Sequence, residues 1–324
     1  MSMLSAIPHL LALLVLALPL AATAQIQAGR PIRVINPYPA GASSDVMARV
    51  FAERVSTALG SPVLVDNRPG AGGTIGVDIV ARSPADGHTV LFVNSGPVVL
   101  IPLLQKTPYD PQKDLAPVTQ VATNVMVLVV HASTAQSLRE LVEQARARPG
   151  QLSYASIGNG SLLHIAGETL KKLAGIDLVH VPYKGTVPAV TDVLSRQVSM
   201  AFSDLVATRA HIDAGTLRAL GISGTRRWAA FPDVPLFGEV GYAPLDRFIG
   251  WWGVFVPPGT PKPAVDQLAR AFNDALRQPD TRKRIADANA DPTGTSPAEF
   301  SDIVRADLAR WSALLKELGN IRMD

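Results

Sequence analysis

Cysteine is absent from the 324-residue chain. That absence excludes disulfides, thiolate metal sites, cysteine nucleophiles and a lipid-modified N-terminal cysteine. A strong charge of either sign is also missing, since 30 Lys and Arg stand against 27 Asp and Glu. The densest cationic run, Arg282-Lys283-Arg284, has no aromatic neighbour. The chain therefore lacks the concentrated basic face of a nucleic-acid binder, and no nucleic-acid partner is expected. Disorder is excluded by a hydrophobic fraction of 47% against 18% charged residues. Beyond residue 24 no apolar run is long enough to span a bilayer.

The first 24 residues contain no Lys, Arg, Asp or Glu. Leu10 to Leu20 is apolar except for Pro19, and Ala22-Thr23-Ala24 follows with small residues in an A-x-A pattern. This reads as a secretory signal peptide cleaved after Ala24, with a hydrophobic region too short to serve as an anchor. The expected location is periplasmic. Export removes the protein from cytosolic NAD and ATP, so no cofactor is expected. The length favours two domains.

Short β-branched runs alternate with helical patterns. Ile32 to Ile35, Thr89 to Val93, Val125 to Val130, Leu178 to Val181, Val198 to Phe202, Leu217 to Ile222 and Trp251 to Val256 read as strands. Between them, Val46 to Leu59 reads as a helix with Val46, Val50, Val55 and Leu59 on its apolar stripe. Ser137 to Arg148 reads as another, with Ser137 and Glu140 forming a capping box. After the break Pro257-Pro258-Gly259-Thr260-Pro261 come helices at Pro263 to Arg277 and from Ser296 onward. The last has Ser at the N-cap, Pro at its first position and Glu at its third. Its stripe runs through Phe300, Ile303, Val304, Leu308, Trp311, Leu314, Leu315 and Leu318, which makes Trp311 a core residue. Such alternation predicts an α/β fold with largely parallel sheets.

Candidate sites lie where strands end and helices begin. The first is Pro37-Tyr38-Pro39-Ala40-Gly41-Ala42-Ser43-Ser44-Asp45. Gly41 supplies backbone freedom and Ser43 or Ser44 can cap the helix. The unpaired amides of its first turn make an anion site that needs no Arg or Lys. A G-x-S-x-G nucleophile elbow is excluded because position 45 is Asp. The segment Gly70-Ala71-Gly72-Gly73-Thr74-Ile75-Gly76 misses the dinucleotide spacing by one residue. It reads as a turn that lets a helix approach the sheet closely. The third candidate runs from Tyr154 to His164, where Ser161 and His164 are placed for ligand contacts. His164 and Glu168 have metal-edge spacing, but no second ligand motif accompanies them, and no metal is expected. The fourth is His180-Val181-Pro182-Tyr183-Lys184-Gly185-Thr186, another strand end entering a helix. Loops of this kind converge outside the carboxyl ends of strands, and a cleft lined by amides and hydroxyls suits a small carboxylate.

Ten motifs in one order carry a family likeness. They are Tyr38-Pro39-x-Gly41 with Asp45; Asn67-Arg68-Pro69-Gly70-Ala71-Gly72-Gly73; Pro84-x-Asp86-Gly87; Tyr109-Asp110-Pro111; Tyr154-Ala155-Ser156 with Gly158 and Gly160-Ser161; His180 to Gly185; Leu217-Arg218-Ala219-Leu220; Pro232-Asp233-Val234-Pro235; Gly259-Thr260-Pro261; and Arg310-Trp311. From Ile32 to Asp324 the sequence resembles the Bug family, the periplasmic receptors of tripartite tricarboxylate transporters. The resemblance implies a periplasmic-binding-protein-like (type II) Venus flytrap, with two α/β domains around a ligand cleft. It implies a monomeric receptor for a small organic acid that serves membrane permease subunits, without enzymatic turnover. Domain 1 is expected at 25–123 and 250–324, and domain 2 at 124–249.

The family likeness places a carboxylate on the backbone amides of Ala40, Gly41, Ala42, Ser43 and Ser44, with Tyr38 and Asp45 among the ligand-binding residues. The remaining contacts it implies come from Asn94, Ser95, the Gly158–His164 turn, Tyr183, Lys184, Gly185, Thr186 and Asp204. Two positions depart from the usual pattern: Ala42 replaces a second Gly, and Ile101 stands where Asn often precedes Pro. The competing expectations are an exported serine hydrolase using Ser161 or Ser44, and a receptor for a membrane sensor kinase.

Overall fold

Two sheets organise the chain in this computed structural model, which describes residues 25–41, 43–159, 161–228, 231–288 and 290–319. The expected signal peptide, Ala42, Gly160 and the side chains of Ser43 and Leu318 lie outside the described residues. The first sheet holds β1 (Ile32–Asn36), β2 (Val63–Asn67), β3 (Thr89–Asn94), β4 (Ala116–Asn124), β10 (Gly250–Val256) and β11 (Asp291–Pro292), in the order β11-β4-β10-β3-β1-β2. The second holds β5 (Val127–His131), β6 (Ser153–Ser156), β7 (Val179–Pro182), β8 (Met200–Ser203) and β9 (Leu217–Ile222), in the order β7-β6-β8-β5-β9.

Both sheets are mixed, which corrects the expectation of largely parallel pairing. β1 pairs in parallel with β2 and β3, and β6 with β7 and β8. β10 and β4, and likewise β5 and β9, run antiparallel. The antiparallel members are the strands at the crossings between sheets. β4 leaves the first sheet through only Val125 and Met126 to enter the second as β5, and β10 begins where the chain returns; β10 runs against β3 and β4, and β5 against β8 and β9.

Helices cover both faces of each sheet. The helix α1 (Ser43–Leu59) buries Met47, Phe51 and Val55 against the first sheet, where Phe51 lies 5.9 Å from Phe92 and 5.5 Å from Phe272. Val46 departs from the expected stripe and is 51% exposed. It precedes Met47 by 100° of helical rotation, and Met47 takes the buried position instead. A second core runs continuously from the other face of the first sheet into the second sheet, and includes Phe255, Phe300, Trp311, Leu128 and Phe202. Trp311 is buried edge-on against Phe248, with ring centroids 4.8 Å apart.

Helix starts follow their caps. Ser296 accepts from Glu299 N and Glu299 accepts from Ser296 N, a complete capping box. At Ser137 only half of the expected box forms: Ser137 accepts from Glu140 N, but the Glu140 carboxylate takes Gln136 N at 2.7 Å instead. Strands β2, β4 and β6 were not anticipated, nor was the helix Pro279–Asp287, which carries the Arg282–Arg284 run. The Gly70–Gly76 segment forms the close approach expected of it. A β-carbon on Gly76 would stand 2.7 Å from Pro37 Cβ and 3.0 Å from Pro37 Cα.

Candidate functional site

A cavity of about 570 Å³ opens between the two sheets. The carboxyl ends of β1 and β3 bring Tyr38, Ser44, Asn94, Ser95 and Gly96 to one side. The ends of β6 and β8 bring Ile157, Asn159, Ser161, Ser203 and Asp204 to the other. Its floor is the pair of crossings between sheets, with Asn124, Val125 and Met126 on one and Phe248, Gly250, Trp251 and Trp252 on the other.

Helix beginnings are the dominant electrostatic feature. The helix α1 starts at Ser43, α5 (Leu162–Ala174) is capped by Ser161, and α7 (Leu205–Asp213) is capped by Asp204. All three present first-turn residues to the cavity wall. Each such terminus favours a nearby negative charge by about 0.3–1 kcal/mol, more where it is partly buried. Among the described lining residues there is no Lys, Arg or His.

The polar walls are pre-set by internal hydrogen bonds. Tyr38 Oη donates to Asn94 Oδ1 at 2.6 Å, and Gly96 N donates to the same oxygen at 3.1 Å, which leaves the Asn94 amide NH2 as its donor end. Burial raises the Tyr38 phenol pKa, keeping it neutral. Ser44 Oγ lies 2.7 Å from Asn36 Oδ1, both residues being buried. The Asn36 Nδ2 has no partner among the described residues. A half-turn of that amide lets Nδ2 donate to Ser44 Oγ and frees the Ser44 proton for the cavity. Asp204 Oδ1 accepts from Ala207 N at 3.1 Å. Burial raises the Asp204 pKa, while amides of Ala207 and Val206 and the Thr186 hydroxyl oppose that rise.

The expected site residues divide between wall and support. Tyr38, Ser44, Asn94, Ser95, Ser161 and Asp204 line the cavity. Ala40 and Gly41 are exposed on the turn. The Gly41 amide is already engaged by Asp45 Oδ2 at 2.9 Å. Asp45 is buried beneath that turn; burial pushes its pKa up, but hydrogen bonds from Arg49, Gly41 and Asn67 outweigh it and hold the carboxyl below its usual range. Gly158 O accepts from Ser161 Oγ at 2.7 Å, fixing the turn. The His164 ring stacks on His180 with centroids 4.0 Å apart, one layer behind the wall. Tyr183 Oη donates to Asp192 Oδ2 at 2.7 Å, Lys184 is exposed, Gly185 precedes the helix Thr186–Leu194, and Thr186 reaches Asp204.

Sequence reasoning missed the floor. Asn124, Met126, Phe248 and Trp252 sit at crossings rather than at strand-to-helix loops. The one available signal was the Trp251-Trp252 pair opening a strand.

The sequence profile of the tripartite tricarboxylate transporter family receptor matches residues 47–320. The chain belongs to this family. Among its receptors, BugT of Bordetella pertussis is 37% identical over 295 residues, covering 90% of each chain. Three solved structures superpose closely. The periplasmic binding protein BugD has a TM-score of 0.77 at 31% identity, covering 90% of this chain and 99% of its own. Rpa4515 of R. palustris with adipate has a TM-score of 0.79 at 30% identity, covering 90% and 97%. MatC from Rhodopseudomonas palustris with bound malate has a TM-score of 0.75 at 29% identity, covering 88% and 98%. The protein is thus a Bug-family solute-binding receptor with the two-domain α/β fold of periplasmic binding proteins.

Proposed function

We propose that this receptor is exported through its N-terminal segment and cleaved after Ala24. It closes on a small carboxylate and delivers it to a tripartite tricarboxylate-type permease. One observation carries the reading: helix N-termini from both sheets converge on a cavity whose described lining residues include no basic side chain. An anion held by amides, hydroxyls and dipoles is retained without a fixed countercharge, which keeps release to a permease possible. The adipate and malate bound by two relatives are consistent with this chemistry.

The ligand contacts in this reading are Tyr38, the turn from Ala40 to Ser44, Asn94, Ser95, Gly158, Ser161 and Asp204, supported from behind by Asp45, His164 and the Tyr183–Thr186 loop. Domain 1 comprises 25–123 and 250–324, domain 2 comprises 124–249, and the ligand favours the closed state through contacts made to both. A hydrolase is the weaker reading. The Ser161 hydroxyl donates to Gly158 O and caps α5, and the Ser44 hydroxyl contacts an amide; neither arrangement makes a nucleophile.

The test is a thermal-shift screen of the ligand-stripped protein against mono-, di- and tricarboxylates. A saturable rise is expected for one class, since binding to the native state adds about 2.7 kcal/mol at 100 times Kd. Uptake of that acid should then disappear when the receptor or permease genes are deleted. Hydrolysis of model esters, lost in Ser161→Ala, would overturn the receptor reading.

A further inference from the structure

The class of acid is also written in the cavity. We infer that the ligand is a monocarboxylic acid with an apolar body, not a di- or tricarboxylate. This inference rests on the receptor reading above and deepens it.

The first argument is charge. Asp204 is the one acidic side chain among the described lining residues, and there is no basic one. It caps α7, so its carboxylate already occupies the positive end of that helix through Ala207 N. A ligand carboxylate entering from that side meets a carboxyl group whose own charge burial already disfavours, where it would otherwise meet free amides. That group also offsets the other positive end there, the start of α5 under its neutral Ser161 cap. The opposite side is different: Ser44, Ser95 and the amide of Asn94 surround the start of α1 without a carboxylate in the wall, because Asp45 is buried behind it. The cavity therefore has one unopposed seat for a negative group, at the start of α1, and its far end disfavours a second.

The second argument is the wall between those ends. Leu100, Ile101, Met126, Phe248, Trp251 and Trp252 face the cavity. At its second-sheet side Ile157 is 41% and Val206 51% exposed, although both are large and aliphatic. Val206 flanks Asp204, and Ile157 opens the turn that carries Asn159 and Ser161. The short hydroxylated chains of malate and citrate would leave these surfaces wet, whereas a hydrocarbon or ring body removes them from water. Adipate, whose spacer is itself hydrocarbon, is disfavoured by the second charge alone. A cavity of about 570 Å³ has ample room for a ring-sized acid.

Calorimetric titration of the ligand-stripped receptor at pH 7.5 tests the inference, with benzoate and phenylacetate against adipate, malate and citrate. At least one apolar monoacid is expected to bind ten or more times tighter than any polyacid. Tighter binding of adipate, malate or citrate overturns the inference and leaves the receptor reading standing. Failure of every acid in both sets overturns the two together. The second arm is Asp204→Asn, which retains an N-cap side chain while removing the charge. The ratio of adipate to benzoate affinity should rise at least tenfold in this variant. An unchanged ratio overturns the role given to Asp204.

Discussion

His180 shows how a side chain outside the cavity can hold its wall in place. Its Nε2 lies 2.7 Å from Ser156 Oγ, and that oxygen in turn accepts from Gly158 N at 3.2 Å. The ring is stacked between Tyr154, at 4.8 Å, and His164, at 4.0 Å. Burial, then the neighbouring His164, with a further contribution from Lys171, pulls the His180 pKa down to about 4, while Glu168 opposes the shift. The sign of the pH effect follows. An unfolded His protonates near pH 6.5, so below that value the unfolded chain binds protons that the folded chain refuses. Stability is present above pH 6.5 and is lost as the pH falls toward 4. Between pH 7.5 and 5 the loss should be on the order of 1–2 kcal/mol, in urea denaturation. His180→Gln keeps a polar group near Ser156 but does not titrate, and should shrink that loss; His164, whose pKa burial also lowers, retains its share. Equal losses in both proteins would show that His180 is not the cause.

Gly76 links an element's packing to the site. It sits in the helix Thr74–Ala81, whose backbone lies directly on Pro37, the residue before Tyr38. Helix propensity alone favours Ala over Gly by up to about 1 kcal/mol. The added methyl would meet Pro37 Cβ at 2.7 Å and backbone Cα at 3.0 Å, and neither atom belongs to a flexible side chain. Overpacking of this kind costs about 1–3 kcal/mol, so Gly76→Ala should be destabilised in urea and should bind its acid more weakly as Tyr38 moves. A stabilised variant would mean that the loop yields freely. This glycine was legible in the sequence because a Gly-rich run before a helix has few other uses. The starts of the capped helices were legible too, since Ser137 and Ser296 announce them. Strand β4 was not: its Ala116-Pro117 start and polar Thr119 and Gln120 break the apolar pattern, and its partners lie more than 120 residues away in β10. The cavity floor was hidden for the same reason. Asn124, Met126 and Phe248 acquire their role only when two distant crossings meet.

At the scale of the whole molecule, those crossings are where any closure must be accommodated. Ser223, buried beside the cavity floor, ties them together. Its Oγ accepts from Met126 N at 2.8 Å on the first crossing and donates to Phe248 O at 2.8 Å on the second, while its own amide donates to Met126 O at 2.8 Å. Met126 and Phe248 both line the cavity, so one hydroxyl couples the geometry of the floor to the relation between the two sheets. Ser223→Ala leaves a buried amide and a buried carbonyl without that partner, and each such group costs about 1–3 kcal/mol. The expected outcome is a lower urea midpoint and a weaker acid affinity together. Small-angle scattering should still register compaction on binding in the wild type, with a smaller change in the variant, because the crossings no longer move as one. A variant that loses stability but closes and binds as the wild type does would confine Ser223 to the core and place the hinge elsewhere.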